Sequence, residues 1–407
     1  MKKKDLETAE KCYALLGLTF FTRAFDIGAT LPTGALLPEI VPTIIRYFVL
    51  VTALFLICVN WKKTLLVASQ HKLLWILTFI ILVSFLWASG VEIETLKNNR
   101  EVLIMTSFSL YFAIRFSLKE QIKLIALTFG IEALLSIVVA VAFPNIGIHG
   151  IDHPGAWRGI YDYKNTLGSM MIISSLAFFA LPIENSQSRF YKYAGIVISF
   201  ALILLCTSKT SLVVYFLVIL MLNFYRKFRW RGNITVIFLD LGILFLGCVA
   251  TLVIGNWVTL LSGLGKDPTL TGRTVIWSIL FTKLQQRPLL GFGRGAFWLP
   301  QLPNGAEVGQ ALGYGYVVPH AHNGLIDIAL DVGYIGLLLF LIIYFTAFFR
   351  ALKRAYASKN PEDIWCLGFL IFLAMNNVTE SFLLRLANIY WVFFVIIVLS
   401  LKQTRQP

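Results

Sequence analysis

The sequence predicts an all-α polytopic integral membrane protein with about twelve transmembrane helices. Three observations predict it. First, 58% of the 407 residues are hydrophobic and only 14% are charged, with a mean hydropathy of +0.77; a soluble domain is roughly 25% charged. Second, apolar stretches recur near residues 12–30, 41–60, 72–89, 101–117, 122–142, 165–182, 192–207, 210–224, 234–255, 321–348, 364–379 and 384–401. A membrane helix needs roughly 20 apolar residues, with a range of about 17 to 25. Third, lysine and arginine are rich and poor in alternate loops, which is how orientation in a bilayer is encoded.

The first stretch is interrupted by Arg23 and Asp26, which read as a structural pair inside the bundle. With the N-terminus inside, the cytoplasmic loops carry Lys62 and Lys63, then Arg115, Lys119 and Lys123, then Arg189 and Lys192. Arg226, Lys227, Arg229 and Arg231 follow, then Arg350, Lys353, Arg354 and Lys359, and finally Lys402 and Arg405. The alternation predicts an even number of spans with both termini cytoplasmic. Met1 to Lys4 is basic, but Asp5, Glu7 and Glu10 follow without an evident small-residue cleavage site, so no cleavable signal peptide is expected. The net charge of +14 lies mainly in short loops, so nucleic acid is not an expected partner. Cys12, Cys58, Cys206, Cys248 and Cys366 fall in or beside apolar runs without metal-ligand spacing and read as small core residues.

The chain therefore reads as one transmembrane domain, 1–407, with a first outer loop at 143–164 and a large outer segment at 256–320. Loops that long are usually functional or disordered. In the second, Gly272 to Phe281 fits a helix lying on the membrane or the bundle, Pro288 ends it, and Gly291-Phe292-Gly293-Arg294-Gly295 makes a turn. No internal repeat is evident, so an inverted-repeat transporter gains no support.

The outer segments hold Arg158, Lys164, Arg273, Lys283, Arg287 and Arg294 against the positive-inside trend. Arginine suits bidentate phosphate binding and lysine suits point-charge neutralisation. Lys283 and Arg287 read as solvated or snorkelling side chains. Arg158 and Arg273 each adjoin a glycine that admits close approach and read as functional, while Arg294 fits either role. Lys164 and Asn165 open a span, where Asn165 is either a ligand or a helix cap. Tyr161 and Tyr163 read as interfacial aromatics.

At Pro319-His320-Ala321-His322-Asn323-Gly324 the polar segment meets a long apolar helix. An imidazole there can take and return a proton near neutral pH. His320 and His322 are two apart, unlike the i, i+4 spacing of a helical zinc site. Asp331 in the same helix and Glu380 between the last two spans are carboxylates that either orient a histidine or pair with an arginine. Gly333 and Gly336 would let a second helix approach.

His322-Asn323, nine residues, then Gly333-Tyr334-Ile335-Gly336 has the form H-N-x9-G-x-x-G. With Gly272-Arg273-Thr274-x-x-Trp277 and Arg287-Pro288-Leu289-Leu290-Gly291-Phe292-Gly293, it resembles the O-antigen ligase and polysaccharide polymerase superfamily. Tyr163 to Gly168 and Thr379-Glu380-Ser381 are more similar to the exopolysaccharide-polymerase branch. The resemblance implies a glycosyltransferase C-like fold in the bacterial inner membrane and a periplasmic active site. It also implies metal-independent, inverting transfer of a glycan from undecaprenyl diphosphate to an acceptor hydroxyl, with no cofactor. The acceptor is a lipid A-core sugar for a ligase and another lipid-linked glycan for a polymerase. His322 would be the catalytic residue, as general base or as the group that orients the acceptor. Arg158, Arg273, Lys164, Arg294, His320, Asn323, Asn165 and Glu380 would bind the diphosphate and substrate. A lipid-linked glycan transporter or flippase is the more distant alternative, because polar groups gather at one surface rather than at mid-membrane.

Overall fold

The computed structural model describes residues 3–28, 34, 36–150, 153–227, 234–255, 272–311, 313, 318–358, 360–384 and 388–401. Arg229, Arg231, Lys359, Lys402, Arg405 and the stretch 256–271, the first part of the expected outer segment, lie outside the described residues.

The described chain is helical, with one isolated antiparallel bridge between Ile148 and Trp157. In order, the helices are α1 (Lys3–Phe21), α2 (Ile40–Val59), α3 (Trp61–Ser69), α4 (Lys72–Val83), α5 (Glu92–Arg115) and α6 (Leu118–Ala142). A single turn, α7 (Pro144–Gly147), precedes α8 (Lys164–Ala180), α9 (Ser186–Leu205), α10 (Lys209–Lys227) and α11 (Ile234–Gly255). Then come α12 (Gly272–Leu284), α13 (Pro303–Ala311), α14 (Gly324–Ala357), α15 (Asp363–Asn377) and α16 (Ile389–Ser400).

Each of the apolar stretches in the sequence overlaps a helix, but the helix lengths differ from a uniform set of spans. Among the described residues, α2, α6, α9 and α14 are long and apolar enough to cross a membrane, and the sharply bent pair α3–α4 makes a fifth if it counts as one span. The count of about twelve is not reached by that measure. α16 has 12 residues, roughly 18 Å at about 1.5 Å per residue, against a hydrocarbon core of about 30 Å. The first expected span is also displaced: α1 ends at Phe21, and Arg23 turns into the left-handed region (φ 64°) and bonds Asp26 at 2.8 Å.

Burial follows composition. All twelve residues of α16 are buried, as are all but one of those in α15 and α8 from Leu167 onward. A helix apolar on every side belongs in an interior. Trp391 and Ser109 tie α16 to α5 through Trp391 Nε1 to Thr106 Oγ1 (3.0 Å) and Ser109 Oγ to the Val392 carbonyl (3.1 Å). Phe393 packs on Phe129, Trp365 and Phe369 of α6 and α15. By contrast α2 exposes Ile40, Ile44, Val51, Phe55 and Val59, a lipid-facing pattern.

Helix α14 is broken at Val332 and Gly333, where Gly333 has φ 69°. The segment Pro288–Gly293 lies across the break. Phe292 and Gly293 amides donate to the Leu330 and Asp331 carbonyls (2.7 and 3.0 Å), and Tyr334 and Ile335 amides donate to the Pro288 and Leu289 carbonyls (2.7 and 3.3 Å). Backbone groups freed by the break thus find partners, which burial demands. A Cβ on Gly333 would lie 2.1 Å from the Leu289 carbonyl oxygen. The glycine expected to admit another helix therefore admits a backbone segment and opens a kink. Gly336 faces Val332 of its own helix, with Leu77 of α4 further off.

Candidate active site

Three helix ends converge: the start of α14 with its preceding turn, the end of α15, and the start of α8. Asn323 caps α14. Its Oδ1 accepts from the Leu325 and Ile326 amides at 3.0 and 3.2 Å, its Nδ2 donates to the Val378 carbonyl at 3.3 Å, and its amide donates to Ser381 Oγ at 3.0 Å. Asn323 is thus committed to holding the turn rather than free to grip a substrate. Gly324 sits so close to Asn377 that a Cβ would lie 2.2 Å from its Oδ1.

His322 has φ 52°, in the left-handed region that a non-glycine residue seldom adopts. Its amide donates to His320 Nδ1 at 3.2 Å, and the two rings lie edge to face with centroids 4.1 Å apart. With Nδ1 accepting, neutral His320 carries its proton on Nε2. Asp327 steadies the turn one helical turn later: Trp298 Nε1 donates to its Oδ1 at 2.9 Å and the Ala321 amide at 3.2 Å. Asp327 and Trp298 had no motif to mark them in the sequence.

His320 lines a cavity of about 270 Å³ with Arg294, Asp327, Asp331, Asn98 and Ser381. Arg294 is 3% exposed, and its guanidinium donates to the Asn98 and Leu384 carbonyls. Burial lowers its pKa, and the charges of Asp331 and Glu101 oppose that. A guanidinium is not deprotonated in proteins, so its charge is fixed. Asp331 Oδ1 accepts from the Gly295 amide at 2.7 Å. A second cavity, about 350 Å³, lies between α11, α14 and α15 and is lined by Leu244, Phe245, Phe340, Phe345 and Leu373; Leu383 lines both cavities.

Arg273 opens α12, and Trp277, one turn along the same face, donates to the Ala321 carbonyl at 2.8 Å. The Arg273 face of α12 therefore meets the histidine turn, and its Nη1 is buried with no hydrogen-bond partner among the described residues. Asn165 is not the cap of α8, which is Tyr163; instead its Nδ2 donates to Glu380 Oε1 at 3.0 Å, joining two expected site residues. Lys164 begins α8, and its amide donates to His149 Nε2 at 3.1 Å.

Arg158 is placed differently. Its Nε and Nη2 donate to the Ile146 and Asn145 carbonyls at 2.7 and 3.3 Å, so it braces the outer loop. It lines neither cavity, and of the expected site residues only Arg294 and His320 do; His322, Arg273, Lys164, Asn165, Asn323 and Glu380 lie outside both linings. Lys283 and Arg287, expected as solvated or snorkelling side chains, have protein partners instead: Lys283 pairs with Glu307 at 2.5 Å, and Arg287 donates to the Trp87 carbonyl at 3.0 Å. Tyr161 is no interfacial aromatic: it is 3% exposed and hydrogen-bonds Glu132 at 2.9 Å. Among the described residues no group of three or more His, Cys, Asp or Glu side chains is arranged to hold a metal ion.

Fold and site together define a multi-pass membrane protein with a charged cavity under a histidine turn. A family model described as O-antigen ligase matches residues 194–341, which contain all three motifs from Gly272 to Gly336. Over 134 residues the chain is 32% identical to the exopolysaccharide production protein ExoQ of Rhizobium meliloti (strain 1021), a match covering 31% of this chain and 30% of that protein. The two matches support the O-antigen ligase and polymerase superfamily, in line with the motif resemblance.

Proposed function

We propose that this chain is a glycosyltransferase that moves a glycan from an undecaprenyl diphosphate carrier to an acceptor hydroxyl at the periplasmic face. The observation that carries this reading is the pair of unlike cavities sharing Leu383: one holds Arg294, Asp331 and His320, and the other is almost wholly apolar. A lipid-linked glycan has a charged head and a long apolar chain. Its head suits the first cavity and the base of its chain suits the second.

In this reading His322 takes the proton of the acceptor hydroxyl as its oxygen attacks the anomeric carbon. The bond to the diphosphate oxygen breaks with inversion. Arg273 and the fixed charge of Arg294 stabilise the negative charge that develops on the leaving group, a term that is usually large in such catalysis. Lys164 adds a third cation, Glu380 is oriented by Asn165, and His320 and Asn323 hold the turn that aims His322. Arg158 serves through the loop it braces. As the resemblance implies, the reaction needs no metal.

Likeness to a protein named for exopolysaccharide production favours a second lipid-linked glycan as acceptor. The description of the matched family favours a lipid A-core sugar. Purified protein given undecaprenyl diphosphate-linked repeat units, with and without a lipid A-core acceptor, separates the two. A ladder of longer lipid-linked glycans without acceptor identifies a polymerase, and product only with acceptor identifies a ligase. His322→Ala should lower either rate by about 10²- to 10⁴-fold, the range for a positioned acid or base. Full activity in that variant removes His322 from the mechanism.

A further inference from the structure

Glu132 lies in the second half of α6 and is 1% exposed. A carboxylate inside a membrane span is costly and marks a role. Both of its oxygens are engaged: Thr22 Oγ1 donates to Oε1 at 2.5 Å, and the Tyr161 hydroxyl donates to Oε2 at 2.9 Å. Thr22 follows the end of α1, and Tyr161 lies between Arg158 and Lys164 in the outer loop.

The same stripe of α6 continues to seat that loop. Ser136 is one turn on, and Gly159 (φ 60°) presses against it so closely that a Cβ would lie 2.5 Å from the Ser136 Cβ. A further turn on, a Cβ on Gly147 would lie 2.4 Å from the Ala140 Cα, and the Gly147 carbonyl accepts the amides of Arg158 and Gly159 at 2.8 and 2.9 Å. Residues at i, i+4 and i+8 share one helix face. The contact at Ala140 is a matter of shape, and at Ser136 the hydroxyl also accepts from the Ile160 amide at 3.5 Å. The contact at Glu132 is polar: Thr22 Oγ1 also has the Thr19 carbonyl at 2.8 Å, but an apolar side chain of equal size at 132 would leave the buried Tyr161 hydroxyl without this acceptor.

We propose that Glu132 is a positioning residue for the transfer reaction. It clasps Tyr161 and so fixes the loop that leads into Lys164 and the Asn165–Glu380 contact. The proposal deepens the transferase reading and rests on it for its rate measurement only. Below the loop α8 begins at once, so any slack at Tyr161 reaches Lys164 within three residues.

The test uses the full chain in lipid nanodiscs with Glu132→Leu, Glu132→Gln and Tyr161→Phe. Hydrogen exchange across residues 157–165 reads the clasp without reference to activity. Steady-state kinetics separate the donor KM from kcat. Losing the clasp should speed exchange of that loop and raise the donor KM, each by about tenfold, in Glu132→Leu and Tyr161→Phe, with little change in kcat. Glu132→Gln keeps an acceptor for Tyr161 and can donate to Thr22, so it should behave as wild type. Loop exchange unchanged in Tyr161→Phe overturns the proposal even if Glu132→Leu fails to fold. A fall in kcat equal in the Gln and Leu variants also overturns it, since that marks a proton carrier. A wild type that transfers nothing refutes the transferase reading, while the exchange data still judge the clasp.

Discussion

At the residue scale, the site is built from side chains held by backbone. Arg294 is gripped by two carbonyls, Asn323 by two amides and a carbonyl, and His322 by a left-handed turn whose amide bonds His320. Such strain persists only where the surroundings over-determine it, and it clusters at active sites. Lys164 is the softer member. Burial lowers its ammonium pKa; Lys209 adds to that and Cys206 opposes it. An ammonium with a lowered pKa gives up its proton sooner as pH rises, so donor binding that needs this cation is present below that pKa and lost above it. Lys164→Arg keeps its charge throughout the accessible range. The alkaline limb of kcat/KM against pH should therefore move upward in Lys164→Arg, and an unmoved limb would show that Lys164 does not bind donor.

At the element scale, helix α14 is broken at Val332 and Gly333. Its kink at Gly333 is filled by the Pro288–Gly293 segment, so two motifs far apart in sequence form one structural unit. Gly333→Ala forces a side chain into the left-handed region, which costs roughly 1–3 kcal/mol before any clash. The contact with Leu289 adds to this, so thermal melts in detergent should show a clear loss of stability. A wild-type melting temperature would show that the kink does not require glycine. Asn323→Ala removes the α14 cap and should cost about 0.5–2 kcal/mol. It also loosens the histidine turn, so its activity loss should exceed its stability loss.

At the scale of the whole molecule, α14 runs from the histidine turn to the opposite end of the bundle, where Lys63, Arg115, Lys119 and Arg354 line another cavity. These four are among the lysines and arginines that the sequence reading assigned to cytoplasmic loops. In a background without native cysteines, a cysteine at Pro319 should react with an impermeant maleimide added outside intact spheroplasts. One at Ser117 should react only after the membrane is opened. The reverse pattern would place the histidine turn in the cytoplasm and exclude a periplasmic reaction.

The sequence by itself determined most of the helical stretches, the pattern of positive charge along the chain and the position of the His322 and Arg273 motifs, while the contact between Asn165 and Glu380 came from the fold. Those signals are local: apolar runs, loop charge and short motifs with fixed spacing. Tertiary structure alone decided that Gly333 breaks a helix, that Arg158 braces a loop while Arg294 lines the cavity, that Asp327 and Trp298 meet at the histidine turn, and that Tyr161 meets Glu132. Those roles depend on which backbone carbonyl, amide or hydroxyl arrives from a distant part of the chain. Arg294 takes its partners from Asn98 and Leu384, and Glu132 from Thr22 and Tyr161. A buried polar group must find its partner wherever packing delivers one, and that address is not written beside the residue itself.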